Sequence, residues 1–221
     1  MQKSIIITAG GIGKRMGAKV PKQFLKVGDT PILYLTLKRF YDFDSSAQLI
    51  ITLPEDWIDF WKELVKGYPK IEHTLISGGI ERYDSIKNAL AHCTGEIIAV
   101  HDGVRPFVAK KTLENVFTLA LEKGAAIPTL PLKESLRKLD NTKSSAVERA
   151  LFVSVQTPQV FKRTILEKAY ALPFTSEITD DASLVEKSGS TVYLTAGNEE
   201  NIKITSPLDL KMAEFLIEKE H

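Results

Sequence analysis

Apolar positions along the chain keep two rhythms. Short unbroken runs rich in β-branched residues, such as Ile5-Ile6-Ile7, alternate with longer stretches whose apolar residues recur at helical spacing. A run of the first kind suits a strand buried on both faces, as in a parallel sheet. This pattern predicts strands over residues 5–7, 47–53, 74–77, 96–101 and 125–130, and helices over 32–40, 57–65, 85–91 and 110–123. The punctuation agrees: Thr30-Pro31 enters the first helix, Pro54 closes a strand, Gly67 and Pro69 end the second helix, and Gly124 stops the fourth. Further on, 162–171 and 180–187 read as helices, 191–195 and 202–204 as strands, and Ser206-Pro207 opens a last helix reaching 218. Strand alternating with helix at this pace predicts an α/β sandwich of three layers around a mostly parallel sheet.

The rhythm breaks between 132 and 155. That stretch is polar, with Asn141-Thr142-Lys143-Ser144-Ser145 at its middle and β-compatible flanks at 136–139 and 151–155, so a protruding hairpin with a polar tip is predicted. A hairpin with so little core of its own either stays solvated or packs on a second subunit. No repeat, low-complexity tract or linker divides the 221 residues, and a single domain (1–221) with an arm at about 132–155 is expected.

In open parallel sheets ligands gather outside the carboxyl ends of the strands, and three unusual polar stretches fall there. After Ile7 come Ala9, Gly10, Gly11 and Gly13, with Lys14, Arg15 and, past Pro21, Lys22. Such glycines let backbone N–H groups approach an anion, and the cations suit a triphosphate. A Walker loop is excluded because Arg15 follows Gly13-Lys14 where a hydroxyl is needed. The dinucleotide fingerprint is disfavoured because Gly17 arrives one position late and Pro21 interrupts any helix. After Ser77, Gly78-Gly79 leads through Glu81, Arg82 and Asp84 to Ser85, either a turn that reads a base or ribose or a plain helix start capped by Asp84 or Ser85. After His101, Asp102 can hold a divalent metal or orient a hydroxyl, and Arg105 can pair with a phosphate or with Asp102 itself. Gln156-Thr157-Pro158-Gln159 is a rigid polar corner, and Thr179-Asp180-Asp181-Ala182 reads as an N-cap with acids in the first turn.

Composition removes other classes. A formal net charge of +1 leaves no electrostatic footprint for duplex nucleic acid. The lone Cys93 excludes an internal disulfide and a cysteine metal cluster, and His73, His92, His101 and His221 are too scattered for a zinc site. With no signal peptide and no apolar run of spanning length, a cytoplasmic protein free of the membrane is expected.

Taken together and in order, Ala9-Gly10-Gly11 through Arg15-Met16, Pro21-Lys22-Gln23, Gly78-Gly79 to Ser85, His101-Asp102 to Arg105-Pro106, Gln156 to Gln159, Thr179 to Ser183 and Asn201 to Thr205 carry a resemblance. From Ile6 to Leu216 the chain resembles the 2-C-methyl-D-erythritol 4-phosphate cytidylyltransferases of the non-mevalonate isoprenoid pathway. The resemblance implies a Rossmann-like nucleotidyltransferase fold, a Mg²⁺ requirement with Asp102 as a candidate ligand, and a homodimer whose arms reach the partner's site. It implies transfer of CMP from CTP to a polyol phosphate with release of pyrophosphate. Carried over by position, Ala9, Gly10 and Gly11 would cradle CTP, Gly79 and Ser85 would read cytosine with Glu81 and Arg82 supporting their loop, and Asp102 would border the nucleotide. Arg15, Lys22 and Lys203 would be catalytic, binding phosphates and offsetting developing charge. Asp102, Arg105, Thr157 and Lys203 would face the polyol phosphate, with Ser135 and Arg149 arriving from the partner's arm. Two positions depart from the family: Ser135 stands where threonine is more frequent, and Gly103 replaces a common alanine, an expected loosening of the turn after Asp102. Ribitol 5-phosphate cytidylyltransferase shares the early loop, the Asp-x-x-Arg-Pro turn and the Thr-Pro-Gln corner. A non-catalytic CTP-binding protein on the same fold is the rival of a different class.

Overall fold

The computed structural model describes residues 1–11 and 20–219; Gly13, Lys14, Arg15, Met16, Gly17 and His221 lie outside the described residues. In chain order, β1 (Lys3–Thr8) is followed by a small hairpin of β2 (Lys26–Val27) and β3 (Thr30–Pro31), then α1 (Ile32–Phe43), β4 (Gln48–Leu53), α2 (Ile58–Val65), β5 (Thr74–Ser77), α3 (Arg82–Leu90) and β6 (Ile97–Asp102). The second half runs α4 (Lys110–Lys123), β7 (Ala125–Pro131), β8 (Arg137–Asp140), β9 (Lys143–Ala146), β10 (Val153–Val155), β11 (Gln159–Lys162), α5 (Arg163–Tyr170), α6 (Asp181–Lys187), β12 (Tyr193–Ala196) and α7 (Pro207–Lys219).

Among the described residues, eight strands make the central sheet. From one edge β5, β4, β1 and β6 lie parallel, with Ile6 opposite Ile50 on one side and Val100 on the other. Next to β6 lies β11, antiparallel to both β6 and β7, and β12 closes the far edge parallel to β7. The strand β10 pairs antiparallel with the end of β7, on the edge that β11 occupies further back. The sheet is therefore mostly parallel, and the carboxyl ends of β1, β4, β5 and β6 open on one rim.

Alternation along the strands divides the apolar residues between two helical layers. Ile5, Ile7 and Ile51 face α1, α2 and α4, packing on Leu37, Trp61 and Phe117. Ile6, Ile50, Ile98 and Val100 face α3, α5 and α6, packing on Ile86, Leu166 and Leu184. A third cluster, built on Val27, Ile32, Val104, Phe107, Ile204 and Ala213, seats α7 against the β2–β3 hairpin. Among the described residues, no helix is long and apolar enough to cross a membrane.

Four sequence expectations need correction. The strand β11 was not foreseen: its four residues sit between a polar corner and a helix and carry no alternation of their own. The helix α3 begins at Arg82 with Glu81 as N-cap, three residues before Ser85, because the Asp84 carboxylate turns back to accept the Glu81 N–H at 3.0 Å. Residues 202–204 form no strand of the sheet; the Ile204 N–H donates to the Val104 carbonyl at 3.0 Å instead. The arm is also tighter than expected. Asp140 pairs with Lys143 across a two-residue turn, with Asn141 at φ 49, so the return strand is the stretch read as the tip. The expected return flank belongs partly to the central sheet as β10.

Candidate active site

The open rim carries a cleft of about 320 Å³. Of the residues singled out in the sequence, Ala9, Gly10, Gly11, Lys22, Gly79, Ser85, Asp102 and Lys203 all line it. They come from five separate stretches: three lie at or just past the ends of the parallel strands β1, β5 and β6, whose common direction brings them together, while Lys22 and Lys203 lie outside the sheet.

The first wall is the chain leaving β1. The Ala9 N–H donates to the Thr52 carbonyl at 3.0 Å, which carries the line of β1 one residue past its end. Gly10 and Gly11 follow, exposed to the cleft. One turn of 3₁₀ helix, Lys22–Phe24, closes the loop from the other side. Its Gln23, almost fully buried, donates from Nε2 to the Ala9 carbonyl at 2.6 Å, and its Phe24 ring packs 5.1 Å from Phe60 and 5.6 Å from Trp57. The two ends of the basic loop are thereby tied together, and the Lys22 side chain is delivered beside Gly11: a Cβ on that glycine would sit 3.9 Å from Lys22 Cε. Arg15 falls within the stretch outside the described residues.

The second wall is the turn from β5 into α3. Gly79 has to be glycine, since a Cβ there would lie 2.2 Å from Asp84 Cβ. The Ser85 hydroxyl accepts the Gly79 N–H at 3.0 Å and donates to the Glu81 carbonyl at 3.2 Å, which folds the turn over the helix start. Arg82 forks onto the fully buried Asp181 of α6 at 3.1 and 2.7 Å, and Tyr170 donates to the same carboxylate at 2.6 Å. The acids read as a first-turn feature thus divide: Asp180 caps α6, accepting the Ser183 N–H, and Asp181 anchors the turn from β5 into α3 from behind.

The floor is Asp102 at the end of β6. Its Oδ2 receives Arg105 Nε at 3.0 Å and Lys203 Nζ at 3.2 Å. Burial opposes the charge on Asp102, but Lys203, Arg82 and Arg105 outweigh it and hold the carboxyl well below the usual carboxylate range. Arg105 does not line the cleft; it also donates to the Asn201 carbonyl at 2.8 Å, so its guanidinium braces Asp102 from the side. Thr157 is likewise turned inward: its hydroxyl accepts the Asp102 N–H at 3.1 Å and meets His101 Nδ1 at 3.1 Å. Gly103 does not loosen the turn, since a Cβ there would come within 2.9 Å of Leu33 Cδ1 and its N–H donates to the Thr8 carbonyl at 2.8 Å.

The fully buried His101 has one consistent tautomer. Nε2 lies 2.9 Å from the Arg105 carbonyl, which can only accept, so Nε2 carries the proton and Nδ1 accepts the Thr157 hydroxyl. Burial pushes this imidazole down to about 4. Stability should therefore fall as pH drops from about 6.5 towards 4, because the unfolded chain takes up a proton that folded His101 refuses. Linkage puts the loss at roughly 3 kcal/mol. Urea midpoints between pH 7 and 4.5 should show that slope in the parent and a flatter one in His101→Gln. An equal slope in both would assign the acid sensitivity elsewhere.

Ser135 and Arg149 are not brought to the cleft within one chain. Both are exposed on the arm, where Arg149 donates to the Lys133 carbonyl. Three participants escaped the sequence reading. Gln23 and Asn201 stood inside quoted motifs without a role, and Asn198 stood in none; buried polar residues in loops leave no periodic signal.

Among the described residues no three His, Cys, Asp or Glu side chains gather as a metal centre. Asp102 and Glu81 are the carboxylates lining the cleft. That donor set does not make a protein-built cage; it suits an ion whose ligands come mostly from substrate phosphates.

Comparison with known proteins agrees with this geometry. Residues 4–219 match the family model for 2-C-methyl-D-erythritol 4-phosphate cytidylyltransferase. The protein of that name from Phocaeicola vulgatus is 46% identical over 98% of this chain and 100% of its own length. Another from Carboxydothermus hydrogenoformans is 40% identical, covering 96% of this chain and 94% of its own. The crystal structure of the Thermus thermophilus protein superposes with a TM-score of 0.79 at 32% identity, across 99% of this chain and 100% of that one. Fold and sequence likeness extend over almost the whole chain, and the chain belongs to the 2-C-methyl-D-erythritol 4-phosphate cytidylyltransferase family.

Proposed function

We propose that this chain transfers CMP from CTP to 2-C-methyl-D-erythritol 4-phosphate, giving 4-diphosphocytidyl-2-C-methyl-D-erythritol and pyrophosphate on the route to isoprenoid precursors. One observation carries the reading: glycine backbone, Lys22 and the Asp102–Lys203 pair line a single cleft that holds no His or Cys among its described residues. A phosphate monoester is already a nucleophile at neutral pH, so the reaction needs positioned cations and no strong base. Ala9, Gly10 and Gly11 would cradle the triphosphate, Gly79 and Ser85 would take the cytosine, and Lys22, with Arg15, would bind the phosphates. Lys203, aligned by an Asp102 that Arg105 braces from the side, would receive the polyol phosphate and set it in line with the α-phosphorus. Magnesium belongs to the same reading: Asp102 is the carboxylate that would touch it, and the bound ion would withdraw charge from the phosphoryl oxygens.

Ser135 and Arg149 are proposed to act across a homodimer. What supports this is the arm itself, which exposes Leu139, Leu151 and Phe152 with little core beneath them. Cytoplasmic residence, where CTP is at hand, completes the proposal. The test is pyrophosphate release with CTP and Mg²⁺, offering methylerythritol 4-phosphate and ribitol 5-phosphate in parallel. Release with the first alone is expected. Release with the second alone would overturn the substrate, and silence with both in a protein that still binds CTP would overturn catalysis.

A further inference from the structure

The segment that presents Lys203 has no place in the sheet, so something other than a ladder has to hold it. Two fixed points flank the lysine. On its far side, fully buried Ile204 is bonded through its N–H to Val104 and packs in the third apolar cluster. On its near side stands Asn201, also fully buried. Asn201 Nδ2 donates to the Thr157 carbonyl at 2.8 Å and lies 3.4 Å from Gln156 Oε1. The Asn201 carbonyl accepts from Arg105 Nη1 at 2.8 Å.

Those partners are the same groups that fix Asp102. The Thr157 hydroxyl accepts the Asp102 N–H, and Arg105 donates to both the Asp102 carboxylate and the Asn201 carbonyl. Gln156 extends the clamp, donating from Nε2 to the Asn198 carbonyl at 2.9 Å. The Asn198 side chain in turn accepts the Ala109 N–H at 3.0 Å and donates to the Phe107 carbonyl at 3.0 Å. Three loops, at 105–109, 156–157 and 198–203, are thus stitched together by side-chain amides.

We propose that Asn201 is a positioning residue for nucleotidyl transfer: its amide locks the Lys203 segment to the Thr157 corner, so that the Lys203 ammonium and the Asp102 carboxylate meet in one geometry. This rests on the function proposed above. Asn201 Oδ1 is buried without a hydrogen-bond partner among the described residues. The donor half of the amide is the part in use, and that half points at the strand-end corner beneath Asp102.

The test is Asn201→Ala, assayed beside the parent with CTP, Mg²⁺ and methylerythritol 4-phosphate. An inactive parent would defeat the proposed function itself, and an active parent isolates the positioning claim. The variant is expected to raise KM for the polyol phosphate at least tenfold and to lower kcat at least tenfold. CTP affinity, measured by calorimetry without the second substrate, should stay within about threefold. A fall in kcat with both KM values unchanged and fewer CTP sites per chain would mark lost folded protein and overturn the proposal. If Asn201→Ala shows no cooperative unfolding transition, Asn201→Ser is measured in the same way. Failure of both to fold would make Asn201 a residue of structure and sink the idea.

Discussion

Lys22→Ala should lower kcat about a thousandfold while leaving the thermal transition within a few degrees of the parent's. A thousandfold is about 4 kcal/mol of transition-state stabilisation, the size found when one well-placed charge donor is removed from a developing oxyanion. The fold should survive because other side chains hold the turn. The turn that carries Lys22 is held by its neighbours, Gln23 through the Ala9 carbonyl and Phe24 through Trp57, Phe60 and Trp61. Lys22 itself is only half-buried, its stem lying along Gly11. Pyrophosphate release and thermal unfolding measured on one preparation separate the two effects. Turnover within threefold of the parent in a folded variant would take Lys22 out of the mechanism.

The layers of the sandwich were legible because burial writes itself into the strands. Ile5-Ile6-Ile7 must bury alternate residues on opposite faces, and the structure sends Ile5 and Ile7 to one helical layer and Ile6 to the other. Helix limits were legible where a chemical stop exists, as at Gly124, whose φ of 101 suits glycine. They were not legible where the decisive bond is local and polar. Asp84 caps back onto Glu81 and starts α3 early, an interaction that the apolar spacing from Ser85 onward does not report. The antiparallel β11 was hidden for another reason: its strand character comes from filling the gap between β6 and β7, a tertiary matter.

The same division runs through the site. Gly10, Gly79, Ser85, Asp102 and Lys203 could be named because each sits at a strand end or in a motif, and the cleft unites them. Thr157 and Arg105 were named too, but their hydrogen bonds go to Asp102 and Asn201, inside the protein. Sequence reveals that a hydroxyl stands at a corner; which way it turns depends on a neutral His101 that needs a donor at Nδ1. Ser135 and Arg149 are a third kind. The part proposed for them depends on a second chain, and no pattern within one chain fixes how two arms would meet.

Asp102→Asn should damage both catalysis and stability, and the pattern distinguishes two parts that one carboxylate can play. The substitution keeps the shape and removes the shared anion of Arg105 and Lys203, leaving a largely buried guanidinium beside an ammonium. Breaking such a pair from one side costs about 3 kcal/mol, which in a chain of this size lowers Tm by roughly 6–12 °C. The sign of the pH dependence follows from the depressed pKa. The folded carboxyl, held below the usual range, stays ionised in acid that already protonates the unfolded one, whose ordinary pKa is 3.8. The stability gap between parent and variant should therefore be constant from pH 8 down to about 5, and narrow only in stronger acid. On catalysis, kcat/KM should fall about a thousandfold, since Lys203, proposed to receive the polyol phosphate, loses its alignment. The magnesium concentration for half-maximal rate should also rise at least tenfold, because the carboxylate proposed to touch the ion is gone. An unchanged magnesium requirement alongside the loss of rate would confine Asp102 to holding Lys203 and Arg105. A rate near the parent's would remove the pair from the reaction altogether.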